Sequence, residues 1–175
     1  NYAGQIYYNF DRTDNVIPEY ENDTKTIHVG MDFNIDPMSC VIAEIKDDDV
    51  YVYDEIQIYS SNTQEMAQEL KNRYYGYNII VYTNVDAKKR KTSAGGVTDI
   101  AILKNAGFTI RVRNNHPLVR DRINSVNAKL KTAKGKYSLF IANKCKNVIK
   151  SLERQIYKEG TVIPDKDSGY DHFND

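Results

Sequence analysis

The fold of this chain is decided by the stretch TIHVGMDFN, at residues 26–34. Apolar residues occupy every second position, which predicts a β-strand that buries one face. Asp32 lies on the other face, together with Gly30 and Asn34. A carboxylate inside a hydrophobic strand is costly unless it is paired or binds a metal ion. Asp32 is therefore a candidate ligand for a divalent cation, and the alternative is an acid at a strand edge that faces solvent.

The first half of the chain reads as a lead-in segment followed by strands. Residues 1–25 are rich in Tyr, polar and without periodicity, so we expect irregular structure whose aromatic side chains pack onto the domain. Three antiparallel strands with short turns follow. The predicted elements are strands at 26–33, 39–45 and 50–58, a turn at 47–49, a helix after the N-cap residues 60–63, and a buried strand at 78–82.

The second half alternates helices with short strands. Its predicted elements are a basic loop at 83–96, a helix at 97–106, a strand at 108–112, a helix at 119–130, a turn at 134–136 within a hairpin that continues into 137–141, a helix at 143–155, and a loop with a helix start in 164–175. This order predicts an α/β fold with a mixed sheet, and it is also the order of ribonuclease H-like nucleases.

Charge is strongly segregated along the 175 residues, although the net charge is zero. Residues 1–60 contain 13 acids and 3 bases, whereas residues 88–136 contain 13 bases and 2 acids. Halves of opposite sign favour a polyanionic partner for the basic part. The alternative is a dipolar surface of solvated charges.

Several classes of protein are excluded by composition. No apolar run is long enough to span a membrane, and residues 1–4 do not begin a secretory signal. Cys40 and Cys145 are too few for a disulfide scaffold, so we interpret them as core thiols in a reducing, intracellular compartment. Because the chain does not begin with Met, we expect it to be a piece of a longer protein.

A second candidate region follows the strand at 78–82. A metal site beside Asp32 needs an oxygen ligand at the end of a neighbouring strand, and the sequence offers Asn84 and Asp86 there. A basic run and a Gly-rich helix start come next, and backbone amides of such a start can bind phosphate. The region lacks the ending of a nucleotide P-loop, so ATP binding is not supported. The alternative is a flexible surface loop.

A third candidate is the segment GYDHFND at residues 169–175. His172 and Asp175 are three residues apart and would share one face of a helix, and Asp171 lies beside them. These side chains form a plausible ligand set, and the alternative is an acidic first turn stabilised by the helix dipole.

Converging carboxylates of this kind can hold two divalent ions for phosphodiester hydrolysis. Oxygen ligands favour Mg²⁺ or Mn²⁺ over zinc. The basic residues between the acidic regions are candidates for contacts with the DNA backbone, or else they keep helix faces soluble. They are Arg111, Arg113, Arg120, Arg122, Lys129, Lys131, Lys134 and Lys136. We interpret His28 as structural.

The chain resembles the nuclease domain of tailed-phage terminase large subunits, the DNA-packaging motor proteins. The motifs that carry the resemblance are GMDFNIDPM at 30–38, RKTSAGG at 90–96 with Thr98 and Asp99, RVRNNHPLVRDRIN at 111–124, KSLE at 150–153 and GYDHFND at 169–175. The resemblance implies a ribonuclease H-like fold, a mixed central β-sheet flanked by helices, and two Mg²⁺ or Mn²⁺ ions. It also implies that residues 26–175 are the nuclease domain and that residues 1–25 follow an ATPase domain.

The resemblance also assigns roles to individual residues. Asp32 corresponds to the first metal-binding Asp and Asp175 to the last, with His172 and Asp171 as neighbours in the metal site. The second catalytic Asp corresponds to Asn84, because the motif at 90–93 fixes the alignment without gaps.

An amide supplies one neutral oxygen where a carboxylate supplies two charged ones, so we expect weakened metal binding and activity. We interpret Asn84 as an inactivating substitution; the alternative is that Asp86 replaces it through a shifted strand end.

The function implied is a metal-dependent, sequence-nonspecific endonuclease that cuts concatemeric double-stranded phage DNA in the host cytoplasm. The expected partners are DNA, the ATPase domain, the small terminase subunit and the portal. The expected DNA contacts are Lys88, Lys89, Arg90, Lys91, Arg113, Arg120 and Arg122. The alternatives are another ribonuclease H-like enzyme, such as a resolvase or transposase, and a DNA-binding or docking module without catalysis.

Overall fold

The computed structural model describes residues 4–33, 36–84, 98–113, 117–156 and 164. Within these residues, helices and strands alternate along most of the chain. In order they are α1 (Arg12–Asn15), β1 (Val16–Ile17), β2 (Thr26–Asp32), β3 (Met38–Lys46), β4 (Asp49–Ile58), α2 (Thr63–Arg73), β5 (Asn78–Asn84), α3 (Asp99–Asn105), β6 (Thr109–Arg113), α4 (Val119–Leu130), β7 (Leu139–Ala142) and α5 (Lys146–Arg154).

Strands β2, β3 and β4 form the predicted antiparallel meander. In β2, Ile27 and Val29 are fully buried while alternate residues are partly exposed. A two-residue turn joins β3 to β4, and its first residue, Asp47, has a φ of 52°. Connections as short as these join antiparallel strands, since parallel strands need a long crossover. The predicted turn and strand boundaries are therefore confirmed to within about two residues.

Helix α2 provides the crossover from β4 to β5. The side chain of Asn62 accepts a hydrogen bond from the Glu65 amide at 2.9 Å, which caps the helix as the sequence predicted. Met66 and Leu70 are fully buried. The crossover allows β5 to lie parallel to β2, and β5 continues to Asn84, beyond the predicted strand end.

Helix α3 is the crossover from β5 to β6. Thr98 caps it by accepting from the Ala101 amide at 3.2 Å. The turn after α3 ends at Gly107, which has a φ of 92°. The amide of Gly107 donates to the carbonyl of Lys104. Strand β6 is parallel to β5, as a helical crossover requires.

The described strands form one mixed sheet in the order β1-β7-β4-β3-β2-β5-β6. Strand β7 is parallel to both β4 and β1. The predicted hairpin at residues 134–141 is wrong. The turn forms, with a φ of 81° at Gly135, but α4 precedes it and supplies no partner strand.

The lead-in segment is more ordered than its sequence predicts. Tyr7 and Phe10 are buried, as expected of aromatic side chains that pack onto the domain. The segment also forms α1 and contributes β1 to the sheet, so the expectation of irregular structure is wrong. Elements of four and two residues are too short to show a hydrophobic period.

The chain divides into two compact units. Unit 1 comprises the described residues of 1–21, 43–55 and 117–175, and unit 2 those of 22–42 and 56–116. Fully buried residues of unit 1 include Leu130, Ile141 and Ile149, and those of unit 2 include Ile27 and Leu103. No helix in the described part of the chain is long and apolar enough to cross a membrane.

Candidate active site

The candidate site lies in unit 2, on one face of β2. The burial of β2 alternates strictly, with Ile27, Val29 and Met31 on the buried face. Gly30 and Asp32 therefore share the half-exposed face, as the sequence predicted. The carboxylate of Asp32 stands at the last residue of the strand rather than in its buried interior, where an ionised group would be costly.

Parallel pairing aligns β2, β5 and β6 residue by residue. Gly30 of β2 is paired with Tyr82 of β5, and Tyr82 is paired with Arg111 of β6. Paired residues of neighbouring strands point to the same face of a sheet. Gly30, Tyr82 and Arg111 therefore form one row across the face that carries Asp32.

The next row contains the predicted metal-site positions. Asn84 of β5 is paired with Arg113 of β6. Continuing the β2 register by two residues places Asp32 opposite Asn84. Because the three strands run parallel, their carboxyl ends meet at one edge of the sheet, where open α/β sheets bind ligands. The fold thus brings the positions of Asp32, Asn84 and Arg113 together.

Two side chains on this face are joined directly. The Nδ1 atom of His28 lies 2.8 Å from the hydroxyl of Tyr82. The two rings are 5.7 Å apart and tilted by 33°. His28 is paired with Ile80, so it reaches Tyr82 along the diagonal of the sheet. The sequence interpretation of His28 as structural agrees with this bond but gave no indication of its partner.

Gly30 is a point of close approach within the site. A Cβ atom on Gly30 would lie 3.3 Å from Cγ2 of Val41, so even alanine would require the valine to shift. The side chain of Val41 therefore occupies the space beside Gly30, and this packing favours glycine at the position.

Asp36 is held by the turn that precedes α2. Its Oδ1 accepts a hydrogen bond from the Ser60 amide at 3.0 Å. Ser60 has a φ of 50°, a conformation that this bond helps to hold. Asp36 therefore has a structural role in the loop after β2.

Asp99 is a buried acid to which the sequence assigned no function. It is fully buried at the start of α3, and its Oδ1 accepts a hydrogen bond from the hydroxyl of Thr63 at 2.8 Å. Thr63 is the first residue of α2 and is equally buried. The bond joins the beginnings of the two crossover helices that flank β5. Its only sequence signal is an acid directly after the N-cap residue Thr98.

The predicted DNA-binding arginines fall in different units. Arg113 is exposed at the end of β6 in unit 2, beside the candidate site. Arg120 and Arg122 lie on α4 in unit 1. The side chain of Arg120 is 76% exposed, and its Nε lies 3.6 Å from Oδ1 of Asp121.

Some predicted site residues lie outside the described residues. They are Asp86, Lys88, Lys89, Arg90, Lys91, Asp171, His172 and Asp175. Within the described ranges, no three His, Cys, Asp or Glu side chains lie close enough to hold a metal ion. The carboxylate of Asp32 is a hard oxygen donor, a chemistry that suits Mg²⁺ or Mn²⁺ better than zinc.

Unit 1 contains a second group of titratable side chains, which has a structural explanation. The carboxylate of Glu55 accepts hydrogen bonds from the amides of Asn147 and Val148 at 3.0 and 2.9 Å. Burial raises the pKa of Glu55, although these amides oppose the change. Burial also raises the pKa of the Cys145 thiol to about 12, which makes this cysteine inert and fits its interpretation as a core thiol.

The strand order, the crossover helices and the acidic carboxyl edge define an RNase H-like domain. The sequence profile of the terminase RNase H-like domain matches residues 29–175. The chain belongs to this family.

Solved structures agree with the assignment of the fold. The large terminase of a thermophilic bacteriophage, solved in complex with ATP-γ-S, has a TM-score of 0.71 and 20% identity, over 97% of this chain and 42% of that one. This chain therefore spans less than half the length of that large terminase.

Isolated nuclease domains are similar over most of both chains. The P22 large terminase nuclease domain has a TM-score of 0.69 and 16% identity, over 97% of this chain and 87% of that one. The nuclease domain of the bacteriophage SPP1 large terminase, solved with bound Mn, has a TM-score of 0.58 and 15% identity, over 89% and 88%. No curated protein sequence matches the chain significantly.

Proposed function

We propose that this chain is the nuclease domain of a phage DNA-packaging terminase and hydrolyses phosphodiester bonds of double-stranded DNA without sequence specificity. The observation that carries the proposal is the parallel register of β2, β5 and β6, which pairs Asn84 with Arg113 and, when it is continued by two residues beyond Gly30 and Tyr82, puts Asp32 opposite Asn84. Membership of the terminase RNase H-like family supports a nuclease role in DNA packaging.

Divalent cations, Mg²⁺ or Mn²⁺, are the proposed cofactors, and two of them would be held. Asp32 would supply the central carboxylate, with Asp175, His172, Asp171 and Asp86 as the further proposed ligands. Such cations, when bound, activate a water for attack on phosphorus and stabilise the leaving oxygen. The manganese bound by the SPP1 nuclease domain supports this choice of ion.

Asn84 is proposed to weaken this activity. Its position is opposite Asp32 by the strand register, so a ligand there would complete the set on the same face. An amide offers one neutral oxygen and cannot balance a second positive charge. We therefore expect slow cleavage that depends on a high concentration of metal.

The basic residues are proposed to hold the DNA backbone. Arg113 is paired with Asn84, and it is proposed to bind a phosphate near the reacting bond. Its guanidinium group can donate two parallel hydrogen bonds to one phosphate. Further contacts are proposed for Lys88, Lys89, Arg90, Lys91, Arg120 and Arg122.

The proposed setting is the packaging motor. Residues 1–25 would follow the ATPase domain, and residues 26–175 would form the nuclease domain. The small terminase subunit and the portal are the proposed protein partners, and the host cytoplasm the proposed compartment. The match to the large terminase of the thermophilic bacteriophage, which is more than twice as long as this chain, supports a place within a longer protein.

A second candidate function is a DNA-binding or docking module without catalysis. The amide at position 84 favours it, because a two-metal site loses charge there. A different RNase H-like enzyme, such as a resolvase, receives no support from the family match.

Plasmid cleavage with Mn²⁺ distinguishes the two functions and is our first prediction. The unsubstituted chain, Asn84→Asp and Asn84→Asp combined with Asp32→Asn should be compared at equal concentration. We expect Asn84→Asp to cut about 10- to 1000-fold faster than the unsubstituted chain, because metal-centred charge stabilisation contributes several kcal/mol. The added Asp32→Asn change should abolish this gain.

Each outcome has a clear meaning. If the unsubstituted chain and Asn84→Asp cut equally fast, Asp86 or another acid is the second ligand and the register assignment of Asn84 is wrong. If none of the forms cuts but all bind duplex DNA with a strong salt dependence, the docking function replaces the nuclease function.

A further inference from the structure

The row of residues preceding Asp32 has a chemistry that the metal site does not explain. Gly30, Tyr82 and Arg111 are paired across β2, β5 and β6, two residues before the row of Asp32 and Asn84. Two residues of a strand span roughly 7 Å, so the rows are close enough to contact adjacent parts of one bound polymer.

Tyr82 differs from the apolar residues that precede it in β5. It is 38% exposed, whereas Ile80 and Val81 are buried. Its hydroxyl is fixed by the 2.8 Å contact with Nδ1 of His28, and the two rings pack at 5.7 Å. A tyrosine on an open sheet face gains little from burial, so the fixed hydroxyl is the feature that requires an explanation.

Arg111 supplies a cation at the paired position on β6. It is exposed, as are its same-face neighbours Thr109 and Arg113. A guanidinium group is the preferred partner for a phosphate. The Tyr82 hydroxyl, on the neighbouring strand, adds a neutral donor when Nδ1 of His28 carries the proton and donates to the hydroxyl oxygen.

We propose that Tyr82 and Arg111 form a subsite that binds a DNA-backbone phosphate next to the scissile one, with His28 as a positioning residue for the Tyr82 hydroxyl. This subsite rests on the proposed nuclease function. It places the two neighbouring phosphates along the direction of β2, β5 and β6, one at the row of Tyr82 and one at the row of Asn84.

Duplex binding without metal tests the subsite independently of cleavage. A fluorescently labelled blunt duplex should be titrated with the full chain in EDTA, by anisotropy, at several salt concentrations. Arg111→Gln should reduce the salt slope of log Kd by about one, as expected for the loss of one phosphate contact. Lys71→Gln, an exposed basic residue on α2 of the same unit, is the matched control and should leave the slope unchanged.

Tyr82→Phe removes only the hydroxyl. It should weaken duplex binding about three- to tenfold, the effect of one hydrogen bond, while Tyr75→Phe, at a tyrosine that is 90% exposed, should have no effect. His28→Ala should weaken binding to the same extent, and the double variant should be no weaker than either single one. A merely structural role of His28 would give additive losses instead.

In the Asn84→Asp background, Tyr82→Phe should raise KM and leave kcat unchanged, since the subsite phosphate does not react. Unchanged binding and an unchanged salt slope in both Tyr82→Phe and Arg111→Gln would overturn the subsite, as would the absence of salt-dependent binding in the unsubstituted chain. If Asn84→Asp fails to cleave but the binding losses are found, the nuclease function is wrong and the phosphate subsite stands.

Discussion

At the scale of single residues, the buried pair Thr63 and Asp99 contributes most clearly to the stability of unit 2. Both residues are fully buried, and the Thr63 hydroxyl donates to Asp99 Oδ1 at 2.8 Å. Loss of either side chain leaves a polar group buried without this partner, which costs more than an exposed hydrogen bond.

We predict that Thr63→Val and Asp99→Ala each lower the free energy of unfolding by about 1–3 kcal/mol, the usual cost of a buried polar group that loses its partner. Urea denaturation measures this. Asp121→Asn, at a side chain that is 55% exposed, is the control and should change stability by less than about 0.5 kcal/mol. Equal stability of Asp99→Ala and this control would show that the buried bond contributes nothing.

The residue scale also shows how far the candidate site could be predicted. Asp32 could be identified from the nine residues 26–34 alone. Apolar residues alternate strictly there, and a charged residue within such a pattern is easily recognised. Tyr82 and Arg111 were not identifiable together, because they are 29 positions apart and become neighbours only through the pairing of β5 and β6.

At the scale of elements, helix α5 depends on a residue from another element for its cap. Its own N-cap residue, Cys145, makes no side-chain cap. Glu55 of β4 accepts from the first-turn amides of Asn147 and Val148 instead. A carboxylate there satisfies two free amides and also interacts favourably with the helix dipole.

The pH dependence of Glu55 follows from its environment. Burial raises its pKa above the ordinary value of 4.5, so the folded state binds the proton more tightly than the unfolded state. The contribution of this group to stability is therefore full below pH 4.5 and is lost as the pH rises through the folded-state pKa.

We predict that Glu55→Gln removes this pH-dependent loss. The variant should be less stable at pH 4, because its amide cannot accept from both backbone groups, and the difference from the unsubstituted chain should shrink as the pH rises towards 7. Urea unfolding at several pH values tests this, with Glu19→Gln, at an exposed residue, as control. A difference that grows with pH would mean that the folded-state pKa of Glu55 is lowered instead.

Helices and strands were predicted best where the hydrophobic pattern repeats over many residues. The sequence predicts α4 at 119–130, and the structure has Val119–Leu130. The hairpin predicted at 134–141 failed because a glycine turn shows where the chain bends but not which element precedes the bend. Instead, the backbone amide of Ser138 donates to the carbonyl of Lys129, and β7 pairs with β4 and β1.

At the scale of the whole molecule, the first residues belong to the packed structure of unit 1. Asn15 is fully buried and donates to the carbonyls of Leu130 and Leu139 at 3.0 and 2.9 Å. Asn127 is buried too, and it donates to the carbonyl of Ile6 at 3.0 Å. These bonds join the N-terminal segment to α4 and β7.

We predict that deletion of residues 1–17 lowers the thermal midpoint of unfolding by at least about 5 °C, because more than one buried hydrogen bond and strand β1 are lost. Differential scanning calorimetry measures the midpoint. Tyr8→Ala, at a side chain that is 60% exposed, is the control and should unfold close to the unsubstituted chain. An unchanged midpoint after the deletion would show that this segment does not stabilise unit 1.

The fold also redistributes the charge that is segregated along the sequence. Unit 1 combines the acidic stretch 43–55 with the basic residues of 117–136, and unit 2 combines Asp32 and Asp36 with the basic residues of 56–116. The charge pattern of the sequence therefore does not correspond to an acidic and a basic unit. Each unit contains both signs, because the chain leaves and re-enters it.

The amino-acid sequence alone is enough to define the alternation of β2, the face on which Asp32 lies, the cap of α2 and the extent of α4. These features depend on residues within a few positions of one another, so local periodicity and capping chemistry are enough to define them.

The neighbours of each strand follow only from the folded structure. So do the row of Asp32 and Asn84, the contact of His28 with Tyr82, and the cap that Glu55 provides. Each of these depends on residues far apart in the chain, such as the 92 positions between Glu55 and Asn147. Their proximity follows from parallel pairing and crossover helices, which no short window of sequence contains.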